Sequence, residues 1–299
     1  MRANTITRTS NLISNIFFAV YAFICIFPVL LVISISLSDE MDLLTAGYSL
    51  IPRTFSLEAY KYVLRDGAGI LNAYGVTVFV ALAGTVLSML VTAMFAYPLS
   101  RSVLKYRNQL SFFIFFTMLF SGGMVPTYIL ITQYLHLKNN ILVLILPMLL
   151  SGTNVLILRT FFKTSIPDSI IESAKIDGAG EIRIFFSIVL QLALPGMATI
   201  GLFSMIAYWN DFYMCLMYIT KPKLYNLQYV LYQLQMNLQF LSMLSQNNAA
   251  SGASEALLRL PTESARMAVA ILAIGPIILT YPFFQRYFVK GLTIGAVKG

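Results

Sequence analysis

Six stretches of the 299-residue chain are apolar for long enough to cross a lipid bilayer, at roughly Asn15–Ser38, Asn72–Ser100, Leu110–Thr132, Ile141–Leu158, Phe185–Tyr208 and Met267–Tyr287. A span needs about 20 predominantly apolar residues, because a rise of ~1.5 Å per residue then covers a hydrocarbon layer of ~30 Å. The expected fold is therefore all-α, a polytopic membrane protein with six transmembrane helices in one domain over 1–299. The composition agrees: the chain is 58% hydrophobic and only 11% charged, against about 45–50% apolar and roughly 25% charged in soluble domains. Pro28, Pro126, Pro195 and Pro276 lie inside four of the stretches. Each removes a backbone hydrogen bond, so kinked spans packed against protein are expected rather than straight rods in lipid.

The first stretch follows Arg2 and Arg8, but its apolar run is too long for a signal peptide and no small-residue cleavage site follows, so it is expected to be retained as a helix. The net charge of +8 does not imply a nucleic-acid partner, because the polar segments are too short to form a basic face. The charge is topological instead. With both termini in the cytoplasm, twelve lysines and arginines face four acids (Asp168, Glu172, Asp177, Glu181) on the inner side, and eight face eight on the outer side. The basic excess inside follows the positive-inside rule. Cys25 and Cys215 have neither the number nor the spacing of a disulfide framework or zinc site and are expected to be packing residues. His136, the single histidine, has no neighbouring cysteine or carboxylate to build a metal site or triad.

Two outer loops are expected, 39–71 and 221–266. The first contains the amphipathic stretch "LEAYKYVL"; the second contains "LYNLQYVLYQLQMNLQFLSML", whose helical apolar spacing suits an outer surface, a partner or the chain's own bundle, and then the flexible-looking "SQNNAASGAS". The cytoplasmic loop 164–184 between spans four and five carries "ESAKIDGAG". Here Ser165 can cap a helix, Pro167 suits its first turn and Asp168 favours its positive end, predicting a short amphipathic helix over Pro167–Ile176. Gly178 is available for a left-handed turn, and Gly180 adds a second loose point. Two readings fit such a knob: an elbow resting on headgroups, or a docking element for a cytoplasmic partner.

"ESAKIDGAGEIRIFFSIVLQLALPG" resembles the loop that marks permease subunits of ABC importers, with Glu172, Ser173, Ala174, Gly178, Ile188 and Leu190 in matching places. Ser173 replaces the usual Ala, and Gln191 stands at a usual Pro, which leaves the bend of the fifth span open although Pro195 follows. "WNDF" (Trp209–Phe212), "GGMVPTY" (Gly122–Tyr128) and "KGLTIGAVKG" (Lys290–Gly299) resemble the second permease of maltose-type oligosaccharide importers. The resemblance implies a second permease subunit, two cytoplasmic ATPase subunits, an extracytoplasmic solute-binding protein and a sugar substrate, in a bacterial cytoplasmic membrane. It makes the short helix a coupling helix, with Glu172, Ser173, Ala174, Asp177 and Gly178 as ATPase-coupling residues. It also implies that Gly291, Gly295 and Lys298 of the tail touch the ATPases and that 221–266 reaches the binding protein; an ordinary frayed terminus is the plainer alternative for the tail.

No G-x-x-x-x-G-K-[ST] motif occurs in the chain, so no cofactor is expected on it and ATP-Mg is expected on the partner ATPase. Asn154, Trp209, Asn210 and Asp211 are the candidate substrate-path residues, since sugars are held by hydrogen bonds and aromatic contact. An interfacial aromatic belt and a solvated carboxylate explain Trp209 and Asp211 equally well. The spans hold almost no ionisable residues, which argues against a membrane enzyme. A permease for an amino acid, peptide or ion remains the alternative to a sugar permease.

Overall fold

The computed structural model describes residues 8–247 and 261–278, together with 280 and 282. Among the described residues the structure is helical, with one isolated β-bridge between Ser38 and Phe55. The chain divides into two compact units, Met1–Gly67 with Leu231–Gly275, and Ala68–Val230 with Pro276–Gly299.

In the first unit, α1 (Arg8–Ser36) is a continuous helix through Pro28. Its residues from Leu12 to Leu30 are exposed, and burial begins only at Ser34, Ile35 and Ser36. Cys25 lies on this exposed helix, so it is not a packing residue within the chain. The segment after α1 is folded rather than loose: Asp39 N–H to Thr54 O (3.2 Å) and Ser56 N–H to Leu37 O (2.9 Å) close a loop that contains α2 (Glu40–Ala46) and leads into α3 (Glu58–Val63).

The second unit carries most of the apolar helices. Here α4 (Gly67–Ser100) runs unbroken for 34 residues, with Pro98 in its last turn. The next three predicted spans are broken. Leu110–Thr132 is not one helix but α5 (Arg107–Leu119) and a second piece, α6 (Met124–Ile129) with a π-helical turn to Tyr134, bent by 107°. The break falls at Ser121–Gly123 rather than at Pro126, because Gly123 takes φ +86° and its N–H is held by Ser121 Oγ at 3.2 Å. Ile141–Leu158 is likewise two pieces, short 3₁₀ turns over Ile141–Met148 and then α7 (Gly152–Ser165), bent by 51°. Pro147 lies in these turns.

The fifth stretch is bent by 81° at Ala193. Before it lie α8 (Asp168–Ile176), α9 (Glu181–Ile184), a π-helical turn Phe185–Val189 and α10 (Leu190–Leu192); after it lies α11 (Leu194–Asn210). Pro195, second residue of α11, has no N–H for the Gln191 carbonyl four residues earlier, so the helix yields there. The bend left open by Gln191 is therefore present. The unit continues with α12 (Tyr213–Tyr218), and α13 (Leu227–Asn247) begins in it and passes into the first unit. Cys215, on α12, is buried as expected. Finally α14 (Thr262–Ile278), in the first unit up to Gly275, covers the sixth stretch from Met267 to Ile278. Among the described residues two helices are long and apolar enough to cross a membrane by themselves, and three bent pairs pass the same test when each is taken as one span. Of the expected flexible tip 245–254, Ser245 to Asn247 are helical and the remainder lies outside the described residues.

Close packing in this unit rests on small residues. A methyl group built on Gly84 of α4 would lie 2.6 Å from the Tyr208 ring, and one on Gly196 of α11 would lie 2.7 Å from the Phe161 ring. Tyr208 is fully buried, and its hydroxyl donates to the Ile145 carbonyl at 2.9 Å, at the start of the 3₁₀ turn Leu146–Met148. Ser88 and Ser204 share a buried hydrogen bond of 3.1 Å between the same two helices, α4 and α11. Gly84→Ala is expected to destabilise the protein by roughly 1–3 kcal/mol through overpacking, read as a lower thermal midpoint in detergent. Gly75→Ala on the same helix, with no atom within 4 Å of the added carbon, should leave the midpoint in place.

Candidate functional site

The short helix predicted over Pro167–Ile176 is present as α8, Asp168–Ile176. Its start differs from the expectation: Ser165 is the last residue of α7, and Pro167 occupies the N-cap position without a side-chain cap. Ile166 at the elbow and Ile171 and Ala174 on α8 are buried in an apolar cluster with Tyr97, Phe162, Ile184 and Phe185. Tyr97 packs edge-on against Phe162, with ring centres 6.1 Å apart, and lies 5.6 Å from Phe185. The other side of α8 is polar or open: Glu172, Ser173, Lys175 and Asp177 are exposed, and Ser173 Oγ donates to the Ser169 carbonyl at 2.9 Å.

Two hydrogen bonds close the helix in a Schellman turn. Ala179 N–H donates to Ala174 O at 2.9 Å and Gly178 N–H to Lys175 O at 3.0 Å, with Gly178 at φ +80°. The accompanying apolar contact is supplied by Ala179, which packs against the cluster that holds Ala174. Gly180 is extended, at φ −72° and ψ 158°, and serves as N-cap of α9, so it is not a second glycine-only position. Across the turn, Lys175 and Glu181 form an ion pair of 2.5 Å. The Glu181 hydrogen bond and charge raise the Lys175 ammonium above its ordinary pKa.

Where α7 meets α8, Arg101 after the end of α4 donates to Asp168 Oδ1 at 2.8 Å and to the Ile166 carbonyl at 3.1 Å. Nearby, Arg159 Nε donates to the Leu99 carbonyl at 3.1 Å. A cavity of about 520 Å³ opens beside α8, with Met94, Tyr97, Leu104, Ile171 and Phe186 among its lining residues. Sequence reasoning used Arg101 only as a topological charge and passed over Ile182. The signal for Arg101 was its place directly after a long apolar run; for Ile182, it was an aliphatic residue among charged ones.

The proposed coupling residues Glu172, Ser173, Ala174, Asp177 and Gly178 thus share one helix and its closing turn, with Ala174 facing inward. The substrate-path candidates are not gathered in this way. Asn154 is half-buried in the first turn of α7, Trp209 is only 2% exposed, and Asn210 beside it is exposed. The burial of Trp209 overturns its reading as an interfacial belt residue. Nor is Asp211 freely solvated: its Oδ1 accepts from Met214 N–H at 3.2 Å in α12, and its carbonyl accepts from the side chain of buried Asn226. The tail residues Gly291, Gly295 and Lys298 lie outside the described residues.

Long apolar helices, several bent in mid-stretch, mark an integral membrane protein. The chain belongs to the family described as binding-protein-dependent transport system inner membrane component, which matches residues 68–294. It is 39% identical to the polygalacturonan/rhamnogalacturonan transport system permease YtcP of Bacillus subtilis, over 95% of this chain and 96% of that one. It is 29% identical to the arabinooligosaccharides transport system permease AraQ of Halalkalibacterium halodurans, over 98% and 99%. Among solved structures it is similar to a chain of a bacterial ABC transporter involved in import of the acidic polysaccharide alginate, with a TM-score of 0.76, 26% identity and coverage of 96% and 99%.

The strain at Gly178 is backbone only, since a carbon added there meets no atom within 4 Å. Replacing Gly178 by Ala is expected to cost roughly 1–2 kcal/mol of left-handed strain, and Asn should be tolerated better. Hydrogen exchange at the Ala179 amide should quicken in Gly178→Ala, since its bond to Ala174 depends on this turn.

Proposed function

We propose that the chain is a permease subunit of an ATP-binding-cassette importer, forming half of the translocation path for a sugar or oligosaccharide delivered by an extracytoplasmic binding protein. The sugar class is supported by the relatives named for polygalacturonan and arabinooligosaccharide transport and by the alginate importer. In this reading the chain pairs with a second permease, crosses the bacterial cytoplasmic membrane six times with both termini inside, and holds no cofactor. ATP-Mg is bound and hydrolysed by two partner subunits.

The observation that carries the coupling part is the outward side of the Schellman turn. Ile176 is 86% exposed and Ile182 is 78% exposed, one on each side of Gly178, among Glu172, Lys175 and Asp177. Two bare aliphatic side chains on a helix that is otherwise anchored fit a groove with apolar floor and charged rim. A headgroup elbow would turn the apolar side toward lipid, whereas here Ile166, Ile171 and Ala174 are already covered by the chain's own cluster. Glu172 and Asp177 then make exposed charge contacts worth about 0–1 kcal/mol each, and the isoleucines carry more of the affinity. Gly291, Gly295 and Lys298 are assigned as tail contacts with the ATPases, and 221–266 as the loop toward the binding protein. Asn154, Trp209, Asn210 and Asp211 stay as candidates for the path, with Asn210 the one whose side chain is exposed.

With the permease pair and ATPases reconstituted together, Ile176→Asp should weaken retention of the ATPase subunits about tenfold or more, since burying a lone carboxylate in an apolar groove is unfavourable by a few kcal/mol. Gly178→Val should retain the ATPase while uncoupling transport from hydrolysis. ATP hydrolysis stimulated by the loaded binding protein should respond to oligogalacturonides or arabino-oligosaccharides; stimulation by amino acids alone would refute the sugar class.

A further inference from the structure

We propose that Arg101 is the positioning residue of the elbow: it locks the end of α4, the last turn of α7 and the first turn of α8 into one rigid piece. The proposal rests on the coupling reading of α8 for its functional meaning, and on its own geometry for the lock.

The side chain of Arg101 is 11% exposed, unusual for an arginine at the end of an apolar helix. Both terminal nitrogens of the guanidinium meet the elbow, while Nε is buried with no hydrogen-bond partner among the described residues. Nη1 donates to the Ile166 carbonyl at 3.1 Å and to Asp168 Oδ1 at 2.8 Å, and Nη2 reaches the Phe162 carbonyl at 3.5 Å. The guanidinium also lies 5.2 Å from the Tyr97 ring centre, one turn back on α4.

These partners are opposite ends of two helices. Phe162 belongs to the last turn of α7 and Ile166 is its C-cap, at the negative end of the helix dipole. The Phe162 carbonyl already accepts from Ile166 N–H at 3.2 Å and takes Arg101 as a second, longer donor, while the Ile166 carbonyl, past the helix end, takes the shorter bond. Asp168 is the first residue of α8, where a carboxylate favours the positive end. A cation between the carbonyl end of one helix and the acid at the start of the next satisfies both. Lysine could reach Asp168 as a point charge, but it lacks the planar fork that serves two carbonyls and a carboxylate together. Arg159 Nε on the Leu99 carbonyl adds a second tie between α7 and α4, so the joint resists rotation as well as separation.

Without the arginine, α8 would keep its apolar contacts through Ile171 and Ala174 but lose the polar tie at its first turn, and its start could shift about Ile166 and Pro167. A push on α8 would then be absorbed at the elbow instead of moving α4.

The test uses the full transporter, purified through this chain with its ATPase subunits, with Cys25 and Cys215 replaced by Ser and nitroxides placed at exposed Val103 and Ser169. Dipolar broadening of the spin-label spectrum reports their separation in the nucleotide-free and the ATP-vanadate-trapped states. The wild-type background should give one sharply defined separation that is the same in both states. Arg101→Ala should lose it while the ATPase subunits stay bound, and Arg101→Lys should restore it in part. If Arg101→Ala does not accumulate, Arg101→Lys and Asp168→Asn serve instead, each expected to lose part of the defined separation. Spectra that superimpose on wild type, for Arg101→Ala or for both substitutes, overturn the lock. The coupling reading is tested separately by Ile176→Asp: undiminished ATPase retention there removes the lever's function but not the lock.

Discussion

A chain this apolar is constrained above all by its backbone. In hydrocarbon an unpaired N–H or C=O has no water to turn to and is unfavourable by several kcal/mol, so each interruption of a helix must bring its own partner. This structure interrupts its helices repeatedly and supplies a specific group at two of the breaks described here. Ser121 Oγ holds Gly123 N–H at the sharpest bend, and Tyr208 serves Ile145 O in the 3₁₀ stretch. Glu40 does the same for α14: its carboxylate accepts from Thr262 Oγ1, Glu263 N–H, and Ser264 N–H and Oγ at 2.7–3.1 Å. That buried acid replaces a local cap with one supplied from more than 200 residues away in sequence.

The elbow at Arg101 is the same solution put to another use. A helix that ends and another that begins within three residues expose unpaired carbonyls next to unpaired N–H groups. A guanidinium from a third helix pairs the carbonyl end, and Asp168 answers it from the other side. The apolar cluster of Tyr97, Phe162, Ile171 and Ala174 then holds the inner face of α8, so its outer face is presented at a fixed angle. Exposed Ile176 and Ile182 gain meaning from that rigidity, because a mobile helix would lose ordering entropy on docking.

Much of this was legible beforehand. The apolar runs located the helices, and the glycine after a short amphipathic segment located Gly178 at φ +80°, because only a left-handed residue closes a helix that way. The breaks were less legible. Proline was read as the agent, yet Gly123 rather than Pro126 makes the 107° bend, and α1 continues through Pro28. A proline in the first turn of a helix loses nothing, so its position relative to the break cannot be read from its presence alone. Trp209 failed for another reason: a span end and an inward-facing turn look alike in one dimension, and only tertiary packing buries it. Arg101 and Glu40 were invisible as partners, since a charge in sequence does not name the distant helix end it serves.

The central claim is that α8 and its turn form the seat for a cytoplasmic ATPase. The most direct measurement is cross-linking from an I176C variant, with Cys25 and Cys215 replaced by Ser, in native membranes containing the ATPase subunits. The account predicts a covalent product between this chain and the ATPase through a short thiol-reactive linker, and labelling by a membrane-impermeant maleimide only after the cells are opened. Labelling of intact cells at that position, with no ATPase product, would contradict it.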